Sequence, residues 1–145
     1  MTGWRLGWSV WPNSLIEHAN KLCVNDHSCP SSIVQYAGIE ALEGPQEEVR
    51  RIVNEFEKRR NFIHQELNKL ENIECFKPGG AFYAFPNVSK TNMNGEKFAD
   101  IALNKHGVAL VPGTSFGDSP TNYIRVSYAN SLDNLSKAIK RLSSI

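Results

Sequence analysis

One arginine in this sequence occupies the middle of a predicted buried strand. Between residues 121 and 129 the apolar side chains alternate along the chain, which predicts that they share one face of the strand: Ile124, Val126 and Tyr128. Arg125 lies on the other face. Its guanidinium is planar, permanently charged and shaped to hold a carboxylate through two parallel hydrogen bonds. Because a rigid strand fixes such a group well, we interpret Arg125 as a clamp for the carboxylate of a small acidic substrate. A surface arginine paired with a nearby acid is the alternative.

A second arginine, Arg5, lies in a segment rich in glycine and tryptophan at the start of the sequence. Glycines beside an arginine allow the backbone to approach a ligand closely. Two arginines in such settings indicate two anionic groups to hold, such as a phosphate and a carboxylate. The alternative for Arg5 is a solvated side chain without a binding role.

Two glycine-containing loops have both a functional and a structural interpretation. Residues 112–117 have the composition of a phosphate-binding loop, but they lack the lysine and the following helix of the P-loop rule. A plain turn between strands is the alternative. Residues 78–81 are either a turn or a place where the backbone comes close to another group.

The remaining reactive side chains give no catalytic or metal site. The four histidines are scattered, and no candidate nucleophile has an adjacent base. The three cysteines, Cys23, Cys29 and Cys75, are odd in number and lack metal-ligand spacing. They indicate free thiols in a reducing compartment, so we expect a cytoplasmic protein.

Composition and charge exclude several classes of partner. The chain has 145 residues, 41% of them hydrophobic and 21% charged, which is typical of one globular domain. A net charge of +1 gives no electrostatic case for binding nucleic acid or a membrane surface. Basic residues between positions 50 and 60 are interleaved with glutamates, which favours a solvated, salt-bridged helix face. No apolar run is long enough to cross a membrane.

Periodicity and turn residues predict the elements that position the two arginines. Helices are expected over residues 14–24, 31–42, 45–70, 95–106 and 131–142, and strands over 4–11, 73–77, 81–86, 108–111 and 123–128. From residue 71 onward the order predicts a small α/β sandwich, with helices covering one face of a mostly antiparallel sheet. Residues 1–44 do not fit this pattern. We therefore predict two parts: residues 1–44, the tail of a neighbouring domain and a connection, and residues 45–145, the small domain.

Taken in order, five segments resemble the C-terminal part of one enzyme family. They are MTGWRLGW at residues 1–8, SCPSSIVQ at 28–35, PGGAFYAFP at 78–86, GVALVPGTSFG at 107–117 and YIRVSYA at 123–129. Together they resemble the class I/II aminotransferases, that is, the aspartate aminotransferase family of fold type I enzymes that depend on pyridoxal 5'-phosphate. The resemblance covers the whole chain.

The resemblance implies a fold and a role for three residues. The implied fold is the C-terminal small domain of such an enzyme, preceded by the tail of the large cofactor-binding domain and a long linking helix. Arg5 matches the arginine that binds the cofactor phosphate, and Arg125 matches the arginine that binds the substrate α-carboxylate. Phe116 matches a position near the substrate pocket. The family's Schiff-base lysine lies just before the segment matched by residues 1–8, and so upstream of this sequence.

The resemblance also implies an activity. The full-length protein would transfer an amino group between an amino acid and a 2-oxo acid, and this chain alone is expected to be inactive. A homodimer or a swapped oligomer is the expected assembly. The alternatives are a carbon–sulfur lyase or an aminocyclopropane carboxylate synthase-like enzyme of the same fold, or a non-catalytic dimerising or binding module.

Overall fold

The computed structural model describes residues 1–145, with the side chain of Thr2 excepted. Five α-helices and three short strands are formed. The helices are α1 (Asn13–His27), α2 (Ser32–Glu43), α3 (Glu47–Leu67), α4 (Gly95–His106) and α5 (Leu132–Leu142). The strands are β1 (Tyr83–Ala84), β2 (Val111–Pro112) and β3 (Ile124–Ser127), and 3-10 turns occur at Thr2–Trp4, Ser89–Thr91 and Gly113–Phe116.

The chain divides into two compact units, Met1–Glu48 and Val49–Ile145. The first contains α1, α2 and the first two residues of α3. The second contains the rest of α3 and every strand named above. The assignment of residues 1–44 and 45–145 to two functional domains stays a prediction.

The three strands of the second unit form one antiparallel sheet in the order β1-β3-β2. Tyr83 pairs with Ser127 on one side of β3, and Val111 pairs with Arg125 on the other side. The predicted α/β class, with a small antiparallel sheet and helices, is therefore confirmed. Because β3 is the central strand, Arg125 has neighbours on both sides.

Local capping signals define the helices of the second unit. The Asn94 side chain accepts a hydrogen bond from the Lys97 amide at the start of α4, and the Ser131 side chain accepts one from the Asn134 amide at the start of α5. Gly107 ends α4 in the left-handed region with φ 63°. The predicted bounds of these two helices are confirmed, because such signals act within a few residues.

The hydrophobic core lies on one face of the sheet. Ile124, Val126 and Tyr128 are 0%, 7% and 1% exposed, so the predicted buried face of β3 is confirmed. Apolar residues of α3, α4 and α5 belong to the same core cluster: Ile63, Leu67, Phe98, Ala99, Ala102, Leu135, Ile139 and Leu142. Arg125 therefore lies on the face turned away from this core.

The first unit has little core of its own. In the part of Met1–Glu48 that the structure describes, Gly38 is the one buried residue. Large apolar side chains are exposed instead, and Trp8 is 74% exposed. Trp4, Trp11, Leu22 and Ile33 are exposed as well. Apolar surface on this scale indicates an interaction surface.

The prediction of a strand over residues 4–11 is wrong. Trp4 is the last residue of the 3-10 turn Thr2–Trp4, and residues 5–11 form irregular chain. A strand needs a partner for its backbone hydrogen bonds, and none of the three strands in the described structure pairs with this segment. Apolar residues alternate in this segment, but alternation alone does not provide a second strand for backbone pairing.

Three other strand predictions were too long. The expected pair 73–77 and 81–86 is reduced to a bridge between Glu74 and Asn87 and the two residues of β1. Ala81 adopts a positive φ of 59°, which bends the chain away from extended pairing. The strand predicted over 108–111 starts only at Val111, because the amide of Val108 donates to Ala102 at the end of α4.

No helix among the described residues has both the length and the apolar character needed to span a bilayer.

Tyr128 links the end of β3 to the loop before β1, and this link is testable. Its hydroxyl donates a 2.9 Å hydrogen bond to the Ala81 carbonyl. Tyr128→Phe removes the donor and with it this hydrogen bond, so we expect the free energy of unfolding to fall by about 0.5–1.5 kcal/mol. Urea unfolding measures the change. The control is Tyr36→Phe, because Tyr36 is exposed. Equal stability of the two variants would show that the hydrogen bond contributes nothing.

Candidate functional site

Arg125 is held by its backbone at the centre of the sheet. It pairs with Val111 of β2, while the flanking residue Val126 pairs with Ala84 of β1. Its side chain is half-buried on the face away from the core. The strand thus gives the guanidinium a fixed point of attachment, as the sequence predicted.

Two aromatic rings flank the Arg125 guanidinium. Its Cζ atom lies 4.3 Å from the centroid of the Tyr83 ring and 4.6 Å from the centroid of the Phe116 ring. Tyr83 belongs to β1, and Phe116 belongs to the 3-10 turn that follows β2, so the rings come from the two neighbours of β3. Both distances are within the range of cation–π attraction.

The guanidinium of Arg125 has no acid partner in the described structure. No carboxylate among the described residues lies within 4.0 Å of it, whereas Arg59 pairs with Glu55 at 3.1 Å and Arg60 pairs with Glu57 at 2.8 Å. The geometry therefore differs from that of a surface arginine paired with a nearby acid. Its five N–H groups can donate hydrogen bonds to an external carboxylate.

The loop at residues 112–117 forms a 3-10 turn that presents Phe116. The amide of Gly113 donates to Tyr123 at 2.8 Å, and a Cβ at position 113 would lie 2.1 Å from the Pro120 carbonyl oxygen. Only glycine fits this close approach. The Thr114 hydroxyl donates to Glu96 at 2.9 Å and ties the turn to the start of α4. Close packing therefore explains the glycine at position 113, and the hydrogen bond to Glu96 explains the threonine at position 114.

The aromatic surface continues beyond Arg125. Phe85 stacks on Tyr123 with centroids 5.3 Å apart and meets Phe116 edge-on at 6.0 Å. Neither Tyr83 nor Phe85 was among the site residues predicted from the sequence. Tyr83 and Phe85 are two residues apart, which predicts that they share one face of a strand. This spacing points to the site only when the register of β1 against β3 is known.

Arg5 lies in the first unit, Met1–Glu48. It is exposed and adopts a φ of 57° directly after the 3-10 turn. A Cβ at Gly3 or Gly7 would meet no atom within 4 Å, so the surroundings are open. No acid among the described residues pairs with Arg5. The structure therefore brings Arg125 and Phe116 together in one unit and places Arg5 in the other.

The cysteines and potential metal ligands add no further centre to the site. Cys75 is buried, and this burial raises the pKa of its thiol, so the thiol is neutral and unreactive near pH 7. Cys23 and Cys29 are exposed. Within the described part of the chain, no three His, Cys, Asp or Glu side chains are grouped to hold a metal ion.

The chain as a whole matches a known enzyme family. The family model for aminotransferase class I and II matches residues 1–142 of this chain. The chain belongs to that family. The resemblance expected from the five sequence segments is thereby confirmed.

Individual relatives give the same result. The chain is 43% identical to an aspartate aminotransferase of Geobacillus stearothermophilus and 40% identical to one of Pyrococcus horikoshii, in each case over 98% of this chain and 37% of the relative. It is similar to the crystal structure of an aromatic aminotransferase from Pyrococcus horikoshii OT3, with a TM-score of 0.91, 35% identity and coverage of 99% of this chain and 39% of that one. The chain thus spans less than two fifths of these relatives.

One residue of this chain has the charge needed to bind the phosphate of the family's cofactor. Aminotransferases of this family use pyridoxal 5'-phosphate. Arg5 offers an exposed guanidinium without an acid partner among the described residues, next to glycines whose surroundings are open. A guanidinium has the positive charge and the hydrogen-bond donors that bind a phosphate.

Proposed function

We propose that the full-length protein transfers an amino group between an amino acid and a 2-oxo acid, and that this chain is its C-terminal portion. One observation supports the proposal most strongly: Arg125 is held between two rings and keeps its donors free of any acid among the described residues. An amino acid and a 2-oxo acid both carry a carboxylate next to the reacting carbon. A single fixed guanidinium therefore serves both substrates.

The chain's own residues bind and orient in this proposal. Arg125 holds the substrate α-carboxylate and so fixes the direction of the bonds at the neighbouring carbon. Phe116 lines the pocket beside it. Arg5 binds the phosphate of pyridoxal 5'-phosphate, which when bound serves as the electron sink for the bonds at that carbon.

The chain by itself is expected to be inactive. In the proposed arrangement the lysine that bonds the cofactor precedes residue 1, and this chain spans 37% of its aspartate aminotransferase relatives. We expect no amino transfer when the purified chain is mixed with pyridoxal 5'-phosphate, an amino acid and a 2-oxo acid. We also expect no single lysine to carry a stoichiometric pyridoxyl group after borohydride reduction, as measured by mass spectrometry.

The matching control is the full-length aminotransferase under the same conditions, which should show both signals. A reduced cofactor on any lysine of the 145-residue chain, together with turnover, would contradict the proposal that the catalytic lysine lies outside it. The same assay distinguishes the alternative chemistry. A carbon–sulfur lyase would release a thiol and ammonia from a sulfur-containing amino acid instead of exchanging amino groups.

We also propose that the protein works as a homodimer or, for this chain alone, as a swapped oligomer in the cytoplasm. The exposed tryptophans of the first unit, Trp4, Trp8 and Trp11, need a partner surface. We expect a solution mass above that of a monomer and preferential cleavage within residues 1–44 under limited proteolysis. Light scattering and mass spectrometry of the fragments measure both. A monomer whose first 44 residues resist protease would contradict this assembly.

A further inference from the structure

The Arg125 side chain is long, and its position must be fixed before it binds a ligand well. A free arginine samples many rotamers and loses that freedom when it holds a carboxylate. In this structure the guanidinium lies against the Tyr83 ring at 4.3 Å and the Phe116 ring at 4.6 Å.

We propose that Tyr83 is a positioning residue for Arg125, whose ring holds the guanidinium in the orientation that binds the substrate carboxylate. Phe116 assists from the other neighbour of β3. This inference rests on the proposed function, since it assigns Tyr83 a role in the same carboxylate site. Tyr83 itself acts through Arg125.

The position of Tyr83 is well defined by its surroundings. Its backbone pairs with Ser127, two residues along β3 from Arg125, so both side chains are on the same sheet face. The Phe82 ring packs against it with centroids 4.4 Å apart. Within the described structure the Tyr83 hydroxyl makes no hydrogen bond. The contact with Arg125 therefore depends on the ring face, and phenylalanine should replace it.

A second arginine–aromatic pair differs from the Arg125–Tyr83 pair in having a carboxylate partner. Arg59 lies over the Phe56 ring at 5.3 Å, but it also donates to Glu55 at 3.1 Å, so its charge is already paired. Arg125 has two rings and, among the described residues, no carboxylate. Aromatic rings attract the cation without occupying its hydrogen-bond donors, which leaves those donors for a ligand.

This arrangement lowers the ordering cost of binding. When the side chain is already immobile, carboxylate binding no longer has to restrict it. Loss of the Tyr83 ring is therefore expected to weaken carboxylate binding about three- to tenfold. Tyr83→Phe should behave like the original protein.

The first measurement is the mobility of the Arg125 side chain in the 145-residue chain, taken from ¹⁵N relaxation of its Nε–Hε group. We expect a rigid group in the original chain and in Tyr83→Phe, and a mobile group in Tyr83→Leu. Phe116→Leu gives a second test with low risk to folding, because Phe116 is 48% exposed. The control is Phe76→Leu, because Phe76 is 89% exposed and makes no ring contact among the described residues, so its loss should leave Arg125 rigid.

The second measurement is a titration of the same resonance with sodium succinate, with sodium chloride at equal ionic strength as the control. We expect a saturable shift that is weakened three- to tenfold in Tyr83→Leu and preserved in Tyr83→Phe. Unchanged rigidity of Arg125 in both Tyr83→Leu and Phe116→Leu would overturn the positioning role. A rigid Arg125 that loses its rigidity in Tyr83→Leu, but never responds to succinate, would instead contradict the proposed carboxylate function and leave the ring contact in place.

Discussion

Replacing Arg125 by alanine in the full-length aminotransferase is expected to lower kcat/KM for amino-acid substrates. The expected decrease lies between about 30-fold and several thousand-fold. Removal of one partner of a partly buried, hydrogen-bonded charge pair costs about 2–5 kcal/mol, and each 1.36 kcal/mol is a factor of ten. The effect should appear mainly as a higher KM, because the carboxylate is bound throughout the reaction. Steady-state kinetics with one amino acid and one 2-oxo acid measure it.

Arg125→Lys should recover only part of the loss, because an ammonium is a point charge and cannot form the two parallel hydrogen bonds of a guanidinium. Retention of the cofactor should stay the same in both variants. The control is Arg59→Ala, since Arg59 also lies over a ring but is paired with Glu55. Unchanged kinetics in Arg125→Ala would remove the main support for the proposed function.

Replacing Arg5 by alanine is expected to weaken cofactor binding and to leave the KM for the amino acid nearly unchanged. A hydrogen bond to a charged group contributes about 1.5–3 kcal/mol, so the affinity for pyridoxal 5'-phosphate should fall about 10- to 150-fold. The KM for the amino acid, measured at saturating cofactor, should change little, because Arg125 holds the substrate. Titration of the cofactor-free enzyme with pyridoxal 5'-phosphate, followed by absorbance, measures the affinity.

A suitable control for Arg5 is Lys21→Ala. Lys21 is an exposed cation of the same unit, and it pairs with Glu17 at 2.8 Å. Loss of a positive charge there should leave cofactor affinity within about twofold, since an exposed ion pair contributes little. Equal losses in the two variants would mean that net charge, and not a specific phosphate contact, controls cofactor binding.

The sequence predicted the elements that depend on near neighbours. Asn94, Gly107 and Ser131 mark the ends of α4 and α5, because a cap is satisfied by backbone groups within the adjacent turn. The alternation around Arg125 predicted the buried face of β3, because side chains of a strand alternate whatever the partner strand is.

Strand pairing was predicted less well, because it is not a local property. Residues 4–11 have the alternation of a strand, yet residues 5–11 form irregular chain, since none of the strands described in the structure pairs with them. The hairpin expected around residues 78–80 is shortened at Ala81, where a positive φ of 59° was not visible in the residue type. Tertiary neighbours decide which extended segments become a sheet.

The site combines both kinds of information. The sequence alone placed Arg125 opposite the buried face of a strand, and the order of its segments identified the family. Only the tertiary structure joined Arg125 to Tyr83 and Phe116, because these residues are far apart or in different elements along the chain. Tyr83 belongs to β1, and Phe116 belongs to the turn that follows β2, so both rings depend on the strand order β1-β3-β2. That order follows from the pairing of separate segments and not from any one of them.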